Sequence, residues 1–257
     1  KCDSIEIGSS KTFSDDITYN NIGIESWLTQ KILHTDGVEI SDILTECKNA
    51  YGFSEFGDSV DVKIGVVTGA DDYFIVTREE ARQLNIHHKN LLPILSTVKS
   101  FPLVINDRVD ELKVLISLKK KHFHKHRGYI QKGIYQKLQK RAHSELREPW
   151  YSVKVGKIPD AFFPYRSSKA PYLLRNHHNI QSTNSVHRIY FKDLTENEIR
   201  WIQVSLLSSF GLLSLAANSK TYGRGMLKIE PSSLKKVLVL KRRDASIGPI
   251  YNRVIRL

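Results

Sequence analysis

The sequence predicts an α+β fold in which short, mainly antiparallel strands are mixed with several helices. Two observations predict it: short β-branched or aromatic runs end at turn residues, and segments of helical periodicity stand between them at irregular intervals. The regular alternation of strands and helices that predicts a doubly wound parallel sheet is not seen. The 257 residues, 40% of them hydrophobic, suffice to bury a core without disulfides or metal ions.

The bulk composition excludes some classes of protein and indicates a partner. No run approaches the roughly 18 consecutive apolar residues that a membrane span requires. Cys2 and Cys47 form neither a disulfide framework nor a zinc spacing, so a reducing, cytoplasmic location is expected. Thirty-nine Lys and Arg against 27 Asp and Glu give a net charge of +12. That balance favours polyanionic partners, although charge that only maintains solubility would give the same total.

The opening residues indicate a piece of a longer protein. Lys1 is the first residue and Met226 is the only methionine, so we expect another domain upstream. A helix is predicted over 24–34, where apolar residues recur at helical spacing. The chain is accordingly divided into three parts: a connector from the preceding domain (1–49), the main domain (50–245) and a C-terminal tail (246–257).

The main domain begins with a predicted hairpin. β-Branched runs at 60–68 and 73–77 predict two strands, and the glycine and aspartates between them predict a tight turn. Thr77 with Glu80 three residues later resembles a capping box that opens a short helix. The apolar run 112–118 predicts a buried strand.

Residues 119–147, here called the basic segment, contain ten Lys or Arg, four His and a single acid, Glu145. Apolar residues at every fourth position predict one long helix with a buried stripe. We expect this helix to end before Pro149, because proline disfavours a helical conformation in the residue that precedes it. The stripe consists of Ile130, Ile134, Leu138, Ala142 and Leu146.

Three alternating histidines of the basic segment, His122, His124 and His126, would share one face of a strand and could ligate a metal ion. No Cys, Asp or Glu lies close by in the sequence to complete such a site. A basic, hydrated face is the favoured interpretation, and we predict no metal site.

The second half predicts further short strands and one long helix. The helix is predicted over 194–217, followed by a loop over 217–225. Strands are predicted at 150–155, 161–165, 172–175, 186–191 and 236–240.

One segment carries a specific resemblance. FGDSVDVKIGVVTGADDYFIV, residues 56–76, resembles the entry to the target-recognition domain of Eco57I-like and TaqI-like adenine-specific DNA methyltransferases. The matching positions are Gly65, Thr68, Gly69, Asp71, Tyr73 and Phe74. Further segments resemble the same family in the same order, so that the matches span about 56–240: 149–151, 157–165, 186–191, 206–209, 222–225 and 227–231.

The resemblance implies a TaqI-like DNA specificity domain that recognises a site in double-stranded DNA. It implies that the intact protein is an S-adenosylmethionine-dependent, site-specific adenine methyltransferase of a restriction-modification system. The same resemblance also admits a bifunctional restriction-modification enzyme. No two of the eight prolines are adjacent, so the double-proline element that grips the target base is absent. We therefore expect no catalytic residue, no cofactor and no complete enzyme in this chain. The expected partners are double-stranded DNA and the protein's own N-terminal methyltransferase domain, without a membrane.

Candidate DNA contacts follow from charge and loop position. Phosphate contacts are predicted in the basic segment: Lys119, Lys120, Lys121, Arg127, Lys132, Lys137, Lys140 and Arg141. Base contacts are predicted in turns and loops: Thr68, Asp71, Asp72, Arg166, Ser168, Lys169, Asn184, Lys220, Tyr222 and Arg224. Trp150, Tyr165 and Tyr222 could stack on displaced bases or belong to the core.

Three other functions remain open from sequence. A specificity subunit of a multi-subunit restriction system would share the DNA-reading role, but only one recognition half is present. A metal-dependent nuclease would need a carboxylate cluster, whereas the adjacent acids at 15–16, 71–72 and 79–80 are typical of turns and helix starts. An RNA-binding module would prefer single strands or hairpins to duplex DNA.

Overall fold

A computed structural model describes residues 40–222 and 225–255. The helix predicted over 24–34 and the base contact predicted at Arg224 lie outside these residues. The helices are α1 (Ile40–Tyr51), α2 (Phe56–Ser59), α3 (Asp71–Phe74), α4 (Arg78–Gln83), α5 (Phe101–Ile105), α6 (Arg127–Tyr135), α7 (Ala142–Glu145), α8 (Glu196–Leu207), α9 (Ser209–Asn218), α10 (Pro231–Lys235) and α11 (Ile247–Val254). The strands are β1 (Phe53–Glu55), β2 (Val60–Lys63), β3 (Ile75–Val76), β4 (Leu91–Leu95), β5 (Val114–Ile116), β6 (Ala161–Pro164), β7 (Arg166–Ser167), β8 (Leu174–Arg175), β9 (Gln181–Ser182), β10 (Val186–Phe191), β11 (Lys220–Tyr222), β12 (Met226–Lys228) and β13 (Leu238–Leu240).

The strands form small, mainly antiparallel sheets, which confirms the predicted α+β class. One sheet has the order β2-β10-β6-β8 and is antiparallel throughout. A second has the order β3-β5-β4-β9, in which only β4 and β9 run parallel. A third, antiparallel sheet has the order β11-β12-β7, and β1 pairs with β13.

Three hydrophobic clusters hold these sheets together. The first packs β3 and β5 against α6, with Phe74, Leu115 and Ile130 fully buried. The second packs α8 and α9 against the sheet that contains β2 and β10. The third contains Leu95 from β4 and Phe162 from β6, so it joins the two four-stranded sheets. Burial of this apolar surface is the main stabilising contribution to the fold.

The predicted hairpin over 60–77 is wrong. Strand β2 pairs with β10 and strand β3 pairs with β5, so the chain crosses from one sheet to another between them. The crossing passes so close to Thr183 that a Cβ on Gly65 would lie 2.0 Å from its carbonyl oxygen. Glycine is required there because no side chain fits between the two backbones. Residues 71–74 then form the helical turn α3 instead of strand.

The single helix predicted for the basic segment is also wrong. Helix α6 ends at Tyr135, and Lys137 adopts a left-handed conformation with φ of 56° that redirects the chain. Of the predicted stripe, Ile130 is buried, whereas Ile134 is 44% exposed. The apolar residues at every fourth position therefore do not form one buried face of a helix. The three alternating histidines lie on 3-10 turns and not on a strand.

Two predictions in the second half need correction. Residues 150–155 are irregular although Tyr151 and Val153 are buried, so their apolar character reflects burial without strand pairing. The helix predicted over 194–217 is two helices, α8 and α9, which meet at a 72° bend. Ser208 adopts an extended conformation at the bend, and its hydroxyl accepts a hydrogen bond from the Gly211 amide, which caps α9.

Other local predictions are confirmed. Glu80 N–H donates to the Thr77 hydroxyl at 3.1 Å, and Thr77 N–H donates to the Glu80 carboxylate at 2.7 Å, which completes the capping box. Strands form within 112–118, 161–165, 172–175, 186–191 and 236–240, each shorter than predicted except that at 186–191. Beyond 245 the chain forms α11, which packs against α8. Within the described residues no single helix is long and apolar enough to cross a membrane, and only the bent pair α8 and α9 passes that test together.

Candidate nucleic-acid interface

The turn that follows β2, residues 65–71, is here called the glycine turn. Its Thr68 is 1% exposed; the hydroxyl donates to the Asp71 carboxylate and accepts from the Ala70 amide at 3.0 Å. Thr68 was predicted to contact a base, but its burial makes it a residue that stabilises the turn. Asp71 and Asp72 are exposed on the same turn.

The basic segment holds the glycine turn from the outside. Arg147 donates two hydrogen bonds of 2.8 Å, one to the Val67 carbonyl and one to the Thr68 carbonyl. Arg141 donates to the Gly69 carbonyl at 3.3 Å. Gly69 has a φ of 76°, and a Cβ there would lie 2.7 Å from the Cβ of His143. The positive φ and the close approach of His143 both require glycine at this position. Together with the hydrogen bonds from Arg141 and Arg147, this contact joins the glycine turn and the basic segment in one structural unit.

The aromatic pair of the motif anchors that unit in the core. The Tyr73 hydroxyl donates to the Tyr129 carbonyl at 2.7 Å, and the Tyr129 hydroxyl donates to the Tyr73 carbonyl at 3.0 Å. Their rings stack with centroids 4.4 Å apart, and burial raises the pKa of both phenols. Trp150, a candidate for base stacking, packs instead 5.9 Å from Tyr73 and 6.3 Å from Phe74. The motif thus positions the basic segment.

The basic segment presents uncompensated positive charge. The eight predicted phosphate contacts are all exposed, and none forms an ion pair with another residue that the structure describes. Burial lowers the pKa of His126, and the adjacent His122, Lys125 and His87 lower it further. Such a concentration of one sign of charge creates a positive potential that attracts polyanions.

A second positive surface lies on the sheet β11-β12-β7. Lys220 pairs with Lys228, which pairs with Arg166, so three cations stand in register across the sheet. Strand alternation places Tyr222 and Met226 on the same side, and both are exposed, whereas Leu227 on the other side is buried. We call this side, with Arg166, Lys220, Tyr222, Met226 and Lys228, the cationic sheet face.

Two neighbours order the cationic sheet face. Glu230 forms an ion pair with Lys228, with 2.6 Å between the carboxylate oxygen and the ammonium nitrogen. The pair lowers the pKa of the Glu230 carboxyl and raises the pKa of the Lys228 amine. The Tyr165 ring lies 5.5 Å from the Arg166 guanidinium and 5.6 Å from the Lys228 ammonium. Tyr165, another candidate for base stacking, is therefore already engaged by cations of the sheet. Lys228 was missed from sequence, because its place beside Lys220 and Arg166 depends on strand pairing.

Asn184 lies between the two positive surfaces. Its backbone amide donates to the Val66 carbonyl in the glycine turn at 3.2 Å, and the next residue, Ser185, accepts from the Tyr165 amide at 3.3 Å. Tyr165 leads directly into the cationic sheet face. The Asn184 side chain is exposed, as are Ser168 and Lys169 after β7. Backbone hydrogen bonds of Asn184 and Ser185 thus link the glycine turn to Tyr165, the residue before Arg166.

Metal ligands do not converge in the described part of the chain, where no group of three or more His, Cys, Asp or Glu could hold an ion. The buried His126 ring instead lies with Nε2 3.0 Å from the Asn90 amide nitrogen. His122 and His126 have ring centroids 6.4 Å apart and perpendicular planes. His126 therefore belongs to the packing of the basic segment, whereas His124 is exposed.

Comparison with known proteins identifies the relatives of this fold. The type IIG restriction endonuclease BpuSI has a similar fold, with a TM-score of 0.53 and 15% sequence identity over 86% of this chain and 28% of that enzyme. The Type II methyltransferase M.AccI of Acinetobacter calcoaceticus is 29% identical over 206 residues. That alignment covers 75% of this chain and 37% of M.AccI, so the chain spans about a third of each relative. Residues 26–250 match the family described as Type II methyltransferase M.Eco57I, C-terminal domain, and the chain belongs to that family.

Proposed function

We propose that this chain recognises a specific site in double-stranded DNA for an adenine-specific DNA methyltransferase. The observation that carries the proposal is the pair of positive surfaces, the basic segment and the cationic sheet face, which the glycine turn and Asn184 connect. Membership of a methyltransferase C-terminal family and the fold shared with a restriction endonuclease support it.

The basic segment supplies affinity. Its exposed cations lie on short helical turns without described acidic partners, so they can each neutralise a phosphate. Phosphate contacts position a protein on the duplex and carry no direct sequence information. Binding through this surface is therefore strong at low salt for any duplex.

The cationic sheet face and the adjacent turns supply specificity. Two-stranded β-ribbons fit the major groove, where Arg and Lys bind the guanine edge and Asn binds the adenine edge. Arg166, Lys220 and Asn184 have the required side chains and are exposed. Asp71 and Asp72, on the glycine turn, can accept from the amino group of cytosine.

Methyl transfer belongs to a second domain of the intact protein. This chain contains no adjacent prolines, so the element that grips a flipped adenine must come from elsewhere. We assign S-adenosylmethionine and the flipped base to an N-terminal catalytic domain, which together with this chain encloses the duplex.

Titration of the 257-residue chain with a labelled random-sequence duplex at several salt concentrations tests the proposal. The logarithm of the binding constant should fall linearly with the logarithm of salt, by about 0.9 for each neutralised phosphate. Absence of binding at low salt would contradict DNA recognition. Preference for a single-stranded or hairpin RNA over the duplex would favour an RNA-binding module instead.

A further inference from the structure

A cavity of about 410 Å³ opens between the glycine turn and the basic segment. Its floor is apolar and aromatic: Tyr73, Val76, Tyr129 and Leu138 line it and are buried. The volume lies in the range of about 300–1,000 Å³ typical of small-ligand sites. Mutual hydrogen bonds between Tyr73 and Tyr129 fix the floor, so the cavity is formed before any ligand enters.

The rim of the cavity is polar and carries both signs of charge. Asp72 and Gln83 contribute from α3 and α4, and Lys132 and Gln136 contribute from the basic segment. None of these four side chains forms a hydrogen bond or ion pair with a residue that the structure describes. The remaining acid, Glu80, is occupied by the capping box with Thr77.

The unpaired rim groups define the chemistry of a ligand. Carboxylate and amide side chains at the edge of an apolar, aromatic floor match the donors and acceptors of a nucleobase, since Gln forms paired hydrogen bonds with adenine and Asp accepts from the amino group of cytosine. Lys132 and Arg141 at the same rim match the phosphate attached to that base. A charged peptide side chain would satisfy only one sign of the rim.

We infer that this cavity binds a single nucleotide, with the base against Tyr73 and Tyr129 and the phosphate toward Lys132 and Arg141. The inference rests on the proposed function, because DNA held by the basic segment would supply the nucleotide, which is a different one from the flipped adenine assigned to the catalytic domain. A free mononucleotide has the same chemistry and is the other source.

Binding of duplexes with one bulged nucleotide, compared with the fully paired duplex, tests this inference. Each of the four bases is placed in the bulge in turn. The chain should bind at least one bulged duplex about tenfold more tightly than the paired one, since an unpaired base costs less to displace. Gln136→Ala and Gln83→Ala should remove this preference. Gln131→Ala, at an exposed position of α6 outside the cavity, should keep it.

Competition with mononucleotides separates the two sources. If dAMP, dCMP, dGMP or TMP abolishes the bulge preference, the cavity also accepts free nucleotides. If none competes while Gln136→Ala still removes the preference, the nucleotide comes from DNA. Equal binding of bulged and paired duplexes by the unmodified chain, or a preference retained in both glutamine variants, overturns the inference. Failure of the proposed function would differ, because the paired duplex itself would then not bind at low salt.

Discussion

The basic segment and the cationic sheet face both carry positive charge, but they hold it differently. In the basic segment, exposed Lys and Arg lie on short helical turns without ion pairs to described residues. In the sheet face, three cations stand in cross-strand register, and Glu230 and Tyr165 fix one of them. This difference indicates two roles. Cations without fixed partners suit phosphates of any sequence, whereas cations at a fixed spacing suit the edges of particular bases.

The register of the sheet face has a cost that supports this interpretation. Like charges directly opposite on neighbouring strands destabilise a sheet. Glu230 forms a direct ion pair only with Lys228, although the charge of Lys220 also contributes to lowering the Glu230 pKa, and no described ion pair includes Lys220 or Arg166. Three aligned cations are therefore better explained by an anionic or electron-rich partner than by stability.

Charge removal from the basic segment should have the largest effect on binding. Replacement of Lys120, Lys121 and Lys140 by Ala should weaken binding at low salt by more than about a hundredfold for every duplex alike. The salt slope should fall by roughly three, one for each phosphate contact. Fluorescence anisotropy at several salt concentrations measures both. The matched control replaces three exposed lysines elsewhere, Lys99, Lys154 and Lys236. Equal losses in both triple variants would show that only total charge matters.

Two glycines of α6 test how the basic segment is attached to the core. A Cβ on Gly133 would lie 2.2 Å from Cη2 of Trp150 and 2.7 Å from the Tyr73 hydroxyl, whereas nothing lies within 4 Å of one on Gly128. Gly133→Ala should lower the free energy of unfolding by about 1–3 kcal/mol through overpacking. Gly128→Ala should raise it by up to about 1 kcal/mol through helix propensity. Urea unfolding of both variants measures the two free energies of unfolding. Equal changes in the two variants would contradict the prediction.

Arg166→Ala should affect specificity more than affinity. We expect a loss of about 1–3 kcal/mol in the preference for the selected site over unrelated duplexes, because a base contact disappears. The salt slope should change by no more than about one. Arg253→Ala, at an exposed position on α11, is the control. A uniform loss for all duplexes would place Arg166 among the phosphate contacts.

The smallest effect concerns acid stability, because two histidines are buried: His126 in the basic segment and His187 on β10, where it contacts Tyr165 beside the cationic sheet face. Burial lowers the pKa of His126 and of His187, but positive neighbours reinforce the shift only at His126, whereas the Ile229 carbonyl and Glu230 oppose it at His187. The unfolded chain, with an ordinary pKa near 6.5, then takes up protons before the folded chain does. The contribution of these two histidines to the free energy of unfolding should therefore stay constant above about pH 6.5 and decrease below it.

Urea unfolding of single variants between about pH 7.5 and about pH 5 measures this decrease. His126→Gln and His187→Gln should each flatten it, and His177→Gln, at an exposed position, serves as the control. An unchanged pH dependence in His126→Gln would contradict the assigned cause.

Local signals predicted some of the elements and missed others. The capping box at Thr77 and the strand at 186–191 depend on residues near each other in sequence, and both form. The hairpin over 60–77 failed because strand partners are chosen at long range: β2 and β10 are more than a hundred residues apart. Gly65 was interpreted as part of a family motif, but the close approach to Thr183 that requires it depends on the fold.

The candidate site was predictable to a similar extent. Composition alone located the basic segment. The role of Arg147 was not predictable, because its two carbonyl partners lie about eighty residues earlier. Thr68 looked like an exposed turn residue, but it is buried in the folded chain. Lys228 was missed because its significance comes from cross-strand neighbours and not from its own sequence context.

Selection from a pool of random duplexes tests sequence-specific recognition most directly. The 257-residue chain is bound to the pool at low and at physiological salt, and the retained sequences are determined. We expect enrichment of one short motif that becomes sharper as salt rises, since phosphate contacts weaken and base contacts remain. Retention of all sequences alike at every salt concentration would contradict it.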